Sequence, residues 1–414
     1  MTDTVDGTDA TRLRRGDGSF RRPFIVALGF LIAISALTID IVLPAIPAIR
    51  GEMGATDTAA QLVITFYLAG FALGQLPTGL ASDRFGRLPV ILTCLGVFVI
   101  AGAVGALSRS IEILIAARLV QGFFGAVGAV VARAIVRDVA GKDGGAVLMA
   151  VMTAILGLAP LLGPVIGGAL TSVWGWRSTV LASVIFGAIT IILIMLYVPE
   201  THAKPDKEPP ARQLARSVRA LLASRQSLVC MLLVCLPFAG YLAMITSSST
   251  VVMGQYGIAP FQFGLVFAIA AAGYSGGALI TRALLRRRSP MQVLAAGIAV
   301  LGLSALALVV IAGVEAPPLW AFWGAVTVFV FGVSMIAPVA TTLALEPLQR
   351  TAGFTAAVMG TAQIGAGVVG SALSAFFYAG NENSMSLVMA CAAALTVATY
   401  LIAGRAMLGT RRHR

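Results

Sequence analysis

Two ionisable residues lie where their chemistry is most exposed to the cost of burial. Asp40 is the only carboxylate deep within an apolar run (23–49), and Arg118 is the only basic residue embedded in one (111–131). A charge in hydrocarbon costs at least ~2.5–3.5 kcal/mol on insertion scales, so such residues are functional candidates by default. Withdrawal from water disfavours the charged form of a carboxylate, which suits Asp40 to carry a proton. A guanidinium is a permanent charge with five donors and would hold the ionised form instead. Two readings follow: a static Asp40–Arg118 pair, or a pair whose partnership changes as Asp40 gains and loses a proton. Arg118, Gln121 and Gly122 share one helical face at i, i+3 and i+4. Gln121 could therefore hydrogen-bond substrate or water beside the arginine, or serve only to tie helices together.

A second charged group is the stretch GLASDRFGR, residues 79–87. It sets Asp83, Arg84 and Arg87, bracketed by Gly79 and Gly86, between the apolar runs 61–81 and 88–107. The glycines let helix ends approach closely and the chain turn without a Cβ penalty. Arg133 or Arg137, at the end of the fourth run, could reach Asp83 across the gap. Such a cluster costs little while solvated but much if half-broken in a dry interface, so it can favour one arrangement of the elements around it. The alternative is a solvated basic loop.

The elements that position these residues are membrane spans. The chain has 414 residues, 58% hydrophobic and 11% charged, with a mean hydropathy of +0.94. Soluble domains carry about 25% charge, so this is an integral membrane protein. Twelve apolar runs recur, at 23–49, 61–81, 88–107, 111–131, 146–173, 178–198, 227–252, 261–280, 291–314, 319–343, 352–378 and 385–403. Each is long enough as a helix to cross the ~30 Å of a hydrocarbon core. Asp residues in the first twenty positions and the length of the first run argue for a retained span rather than a signal peptide. Pro44 and Pro47 are expected to interrupt that span beyond Asp40 and leave carbonyls free toward a cavity.

Charge placement sets the topology. Of the 29 Lys and Arg residues, Arg50, Arg109 and Arg177 fall on one set of alternate loops, Arg118 lies within a span, and the rest fall on the other set and the termini. By the positive-inside rule both termini are expected in the cytoplasm. The net charge of +12 is thus a membrane-orienting feature that meets anionic lipid, and no nucleic-acid partner is expected. The interval 199–226 is the only long loop, Pro-rich and charged at first, then a basic amphipathic segment over 211–223. The expected organisation is a tail (1–22), a six-helix bundle (23–198), a cytoplasmic linker (199–226), a second six-helix bundle (227–408) and a tail (409–414). Two such halves are the gross pattern of carriers built from repeated bundles.

Other chemistries are poorly supplied. Cys94, Cys230, Cys235 and Cys391 all lie in apolar runs, without metal-ligand or disulfide spacing. No phosphate-binding Gly-rich loop is present, which argues against primary transport. The two histidines, His202 and His413, lie outside the spans, so an embedded enzyme would lack acid–base and metal-binding groups. No cofactor or metal is expected.

In their order and topological places these motifs resemble the major facilitator superfamily. GLASDRFGR resembles its signature loop, RLVQG (118–122) a second signature, and LGPVIGG (162–168) the one associated with antiporters. DIVLPAIP (40–47) and ARAIVRD (132–138) resemble the bicyclomycin/chloramphenicol-resistance branch of drug:proton antiporters. The resemblance covers the first half residue by residue and the second by span count and texture. It implies an all-α fold of twelve transmembrane helices in two pseudo-symmetric six-helix bundles, in the inner membrane, working as a monomer. It implies export of a small, largely apolar antimicrobial in exchange for protons, with uptake or export of a metabolite such as a sugar as the rival reading. Gly79, Asp83, Arg84, Gly86, Arg87, Arg133, Arg137 and Asp138 would form a conformational latch on the cytoplasmic face. Gly163, Pro164, Gly167 and Gly168 would form a small-residue packing seam along which the halves move. Tyr67, Phe124, Met152, Tyr241, Met244 and Phe267 are candidate pocket residues, because aromatic and Met side chains suit promiscuous apolar recognition. Two departures from relatives stand out: Ala36, Ala33 and Ile32 occupy the turns of span 1 before Asp40, where some relatives have a second carboxylate. SSST (247–250) replaces a family proline in span 7.

Overall fold

A long apolar run has one stable form in hydrocarbon, because a helix satisfies its backbone groups within the segment. The computed structural model describes residues 20–201 and 210–404. Among these are twelve helical segments long and apolar enough to cross a bilayer. Spans 1–6 are Arg22–Met53, Asp57–Phe85, Arg87–Leu107, Ile111–Val139, Leu148–Trp174 and Trp176–Tyr197. Spans 7–12 are Arg225–Tyr256, Pro260–Leu284, Pro290–Ala312, Leu319–Leu348, Thr355–Phe376 and Asn383–Ala403. Residues 1–19 of the first tail, linker residues 202–209 with His202, and residues 405–414 with His413 lie outside the described residues.

The sequence punctuates these helices at their ends. Thr56 accepts from the Ala59 amide (3.1 Å) and Ser224 from the Ser227 amide (3.2 Å), each satisfying one of the donors a helix start leaves open. Ser289 and Gln292 close a capping box at the start of span 9. The expected amphipathic linker segment is a helix, Pro210–Ala223. The connection between spans 4 and 5 is also helical, within Ile111–Trp174, where a gap at 132–145 was expected.

Span 1 is interrupted where the prolines predict. Its first helix ends at Asp40, a 3₁₀ turn covers Leu43–Ala45, and a second helix runs Ile46–Met53. Pro44 has no N–H to offer the Asp40 carbonyl four residues back, so the α ladder cannot continue there.

With twelve crossings, the described ends of the chain lie on one face, together with the 79–87 loop and the basic 285–289 loop; we call this the basic face. The apolar core divides in a telling way. One buried cluster joins the ends of spans 1 and 2 at the opposite face, including Ile46, Ile49, Ala60 and Ile64, to residues of the second half such as Met244, Val251 and Phe263. The other, with Phe24, Leu28, Ile91, Val131 and Val198, fills the basic-face side of the first half and contains no residue of the second. The halves are therefore welded toward the opposite face and keep separate cores toward the basic one.

Candidate functional site

The break in span 1 leaves Asp40 at a helix end, 4% exposed. Its Cβ lies so close to span 5 that a Cβ on Gly163 would sit 2.6 Å from it. Among the described residues no ion pair or hydrogen bond reaches its carboxyl group. It lies within electrostatic reach of Tyr67 on span 2 and Tyr241 on span 7, and the turn that follows it packs against spans 7 and 8 of the second half.

Arg118, fully buried, is held by other groups. Its Nη1 donates to Gln121 Oε1 (2.8 Å), its Nη2 to the Thr38 carbonyl of span 1 (3.2 Å), and its guanidinium lies 4.2 Å above the centroid of the Tyr67 ring. That stacking is a cation–π contact strengthened by the dry surroundings. Arg118 thus reaches span 1 half a turn before Asp40 without pairing with it, and the static pair is not formed in this conformation.

Gln121 lies elsewhere than the substrate reading supposed. It is fully buried, its oxygen accepting from Arg118 and its nitrogen donating to Ser183 of span 6 (3.2 Å), against Gly102 of span 3. Both ends of the amide are used inside the first half, where it positions Arg118.

The pocket candidates separate by helix face, which residue type alone does not reveal. Tyr67 is fully buried, its hydroxyl near Ser35 and Thr38 but without a hydrogen bond. Tyr241 is half-buried and meets the rings of Phe238 and Tyr274, centroids 5.4 and 5.5 Å away. These two lie within electrostatic reach of Asp40. Phe124 is half-buried, edge-on to Phe123. Met152 is packed into the core of the first half, while Met244 and Phe267 are buried in the cluster that joins the halves, Phe267 between Phe263 and Trp323. Tyr274, unremarked in the sequence, completes an aromatic row with Phe238 and Tyr241 across spans 7 and 8.

On the basic face the hub is Arg87, 3% exposed. Its Nε donates to Asp138 (3.0 Å), and its Nη1 donates to Ser82 (2.8 Å) and pairs with Asp83. Gly86 makes this possible: with φ at 96° it ends span 2 and starts span 3 in backbone space that other residues rarely enter. Glu200, just after span 6, accepts the Arg87 and Leu88 amides, each at 2.9 Å. It is an anion capping a helix start. Of the arginines expected around Asp83, only Arg87 joins. Arg84 lies over Phe85 (5.2 Å), Arg133 donates to the Ala129 carbonyl of its own helix (2.6 Å), and Arg137 is exposed. Gly79 packs on Val130 of span 4. All the side-chain bonds of Arg87 stay within the first half.

The small-residue seam on span 5 faces two ways. A Cβ on Gly167 would sit 2.0 Å from the Ile41 carbonyl of span 1, and one on Gly168 2.4 Å from the Pro260 carbonyl of span 8. Reciprocally, Gly264 of span 8 sits on the Pro164 carbonyl. Gly163 and Gly167 seat span 1 at Asp40, while Gly168 and Gly264 bring the two halves into backbone contact near the opposite face.

Residues 28–375 match the family described as the Major Facilitator Superfamily. The chain belongs to this superfamily. It is 29% identical over 388 residues to the bicyclomycin resistance protein homolog of Haemophilus influenzae, covering 92% of this chain and 96% of that one. To multidrug resistance protein D of Escherichia coli it is 28% identical over 379 residues, covering 91% and 94%. Among solved structures it resembles a peptide transporter, POT, in complex with sulfate. That likeness has a TM-score of 0.76 and 13% identity, over 97% of this chain and 99% of that one. It also resembles a bacterial homolog of the human lysosomal transporter Spinster in an inward-facing, unoccupied conformation, with a TM-score of 0.71 and 16% identity, over 93% and 97%. At these identities the two structures speak for the fold alone. The protein is thus a multi-pass membrane transporter with multidrug-resistance relatives.

Proposed function

We propose that this transporter exports small, largely apolar antimicrobials in exchange for protons, by alternating access between its two halves. The observation that carries the reading is Asp40: buried, unpaired, at a helix break, and placed where both halves meet. Burying a lone carboxylate costs far more than burying a carboxylic acid, so a group in this position is suited to exchange a proton as its surroundings change. Arg118, anchored by Tyr67, Gln121 and Thr38, stands ready beside it as the partner for an ionised Asp40 in another conformation. The aromatic row Phe238–Tyr241–Tyr274 supplies apolar surface for a substrate on the far side of Asp40. One proton descending 100 mV provides ~2.3 kcal/mol, which sustains roughly fifty-fold export at one-to-one exchange.

The basic face is the cytoplasmic one on this reading, both termini are inside, and the conformation described is closed toward the exterior. The carrier works as a monomer, without a cofactor. The test uses inverted vesicles with an acidic lumen and a pH-sensitive dye, challenged with chloramphenicol-type and bicyclomycin-type compounds. Drug-dependent proton release by the parent and its absence in Asp40→Asn are expected. Release that survives Asp40→Asn would remove Asp40 from the proton path. Absence of release with every compound would shift the reading to metabolite transport.

A further inference from the structure

The SSST stretch of span 7 has so far no assigned role. Its first serine is the centre of a chain of hydroxyl contacts that crosses between the halves. Ser247 donates to Gln61 Oε1 on span 2 (2.8 Å) and bonds Ser374 of span 11 (2.7 Å). One turn deeper, Ser371 of span 11 bonds both Thr65 of span 2 (2.7 Å) and Thr246 of span 7 (2.6 Å). Toward the surface, Thr58 donates to the Ala375 carbonyl (3.1 Å). Gln61, Thr65, Thr246, Ser247, Ser371 and Ser374 are all 3% exposed or less.

On span 2 the participants Thr58, Gln61 and Thr65 fall at i, i+3 and i+7, one stripe of the helix. The stripe continues through Leu68 and Ala72 to Gln75, whose side chain meets Gly360 of span 11. No ionised group takes part in these five bonds. Each hydroxyl can fall back on its own helix when its partner leaves, as Thr65 already does toward the Gln61 carbonyl (3.3 Å). The Gln61 amide nitrogen is buried without an acceptor, so separation of the halves offers it water. The contact is thus dry and continuous when closed, and cheap to dissolve.

We propose that these two hydroxyl chains are the gate on the face opposite the basic one, with Ser247 and Ser371 as its nodes. The inference deepens the alternating-access reading and rests on it. A gate of neutral groups opens independently of salt, and its closure is weakened by removing a single hydroxyl.

Leu68, 2% exposed, lies on the same stripe one turn beneath Thr65, so Leu68→Cys reports whether the gate is open. The background carries Cys391→Ser, because Cys391 is the exposed native thiol among the described residues. A membrane-impermeant maleimide is applied to the face opposite the basic one in right-side-out vesicles, without substrate. Ser371→Ala and Ser247→Ala are each expected to speed labelling by roughly two- to ten-fold, the population equivalent of one lost hydrogen bond. Ser304→Ala removes a buried hydroxyl of span 9 that has no partner and is expected to leave the rate unchanged. The Leu68→Cys rate itself should not differ between low and molar salt. Rates for Ser371→Ala and Ser247→Ala equal to that of Ser304→Ala, or a rate for Leu68→Cys alone that rises with salt, would overturn the assignment. Because labelling needs no substrate, a failed drug panel leaves this result standing, and unchanged labelling with intact export removes the gate but not the transport reading.

Discussion

The two faces of this transporter are held by different chemistry. At the basic face Arg87 gathers Asp83, Asp138 and Ser82 within one half, and Glu200 at the start of the linker caps the adjoining helix. At the opposite face neutral hydroxyls and backbone contacts at Gly168 and Gly264 bind one half to the other. The difference is instructive because the two chemistries fail differently. A buried ionic hub is expensive to leave half-made, so it rigidifies a unit that moves as a whole. Hydroxyl pairs contribute little net and exchange readily for water, which fits a surface that must part and close again. The ionic interactions of the hub sit within one half, not between the two.

The largest expected effect comes from breaking the hub. Arg87→Ala leaves two carboxylates facing each other without their cation. We expect a loss of about 3–5 kcal/mol, the usual scale for removing one partner of a buried ionic group, measured by denaturation in detergent. Arg87→Lys should recover only part of it, because a single ammonium cannot serve Asp138 and Asp83 with a planar fork. Equal stability of Arg87→Ala and the parent would show that the cluster is a solvated basic loop.

Next comes the backbone contact between halves. A side chain at Gly168 would meet the Pro260 carbonyl and Phe261 Cα of the second half, so Gly168→Leu should force the halves apart at the opposite face. The expected cost is about 1–3 kcal/mol of overpacking, seen as faster modification of Leu68→Cys. The fold of each half should persist. Unaltered protection would mean that the seam does not set the closure.

Asp83→Asn is a milder test of the hub, since Arg87 keeps Asp138 and Ser82. A loss of about 1–2 kcal/mol is expected, at the lower end for a hydrogen bond to a charged group because Asp83 is partly exposed. Transport should fall while membrane insertion stays intact. Normal transport by this variant would remove Asp83 from the conformational machinery.

How much of this was legible in the sequence depends on what kind of pattern each feature leaves. Span number, the break after Asp40, and the singularity of Asp40 and Arg118 follow from apolar runs and from the rarity of charge within them. The Gly163–Gly167 face was legible from its four-residue spacing. The identity of the hub was not: Arg84 and Arg87 both lie beside Asp83 in sequence, Arg133 and Arg137 are candidates from span 4, and only the turn at Gly86 selects Arg87. Glu200 reaches the same turn across more than a hundred residues with no local signal. Met152, Met244 and Phe267 read as pocket residues by type, yet their helix faces point into the cores. Thr58, Gln61 and Thr65 do carry a helical period. Their partners Ser371 and Ser374 resemble any serines that bond to their own helix, and nothing local marks them as crossing between halves.

The smallest effect is expected from the ion pair nearest the hydroxyl gate. Arg50 Nε lies 3.1 Å from Asp57, the two side chains 53% and 27% exposed. They line a cavity of about 240 Å³ with Thr250, Tyr378 and Gly380 of the second half. The pair joins the last turn of span 1 to the first turn of span 2, so it ties neighbours within one half and bridges nothing that must part. Exposed pairs of this kind contribute about 0–1 kcal/mol and are screened by salt. Arg50→Gln should therefore change stability by less than about 1 kcal/mol and leave modification of Leu68→Cys within roughly two-fold of the parent, below the effect of one lost hydrogen bond at Ser371. If Arg50→Gln opened that face more than Ser371→Ala, charge would govern closure at both faces, and the contrast between an ionic hub within one half and a neutral seal between the two would collapse.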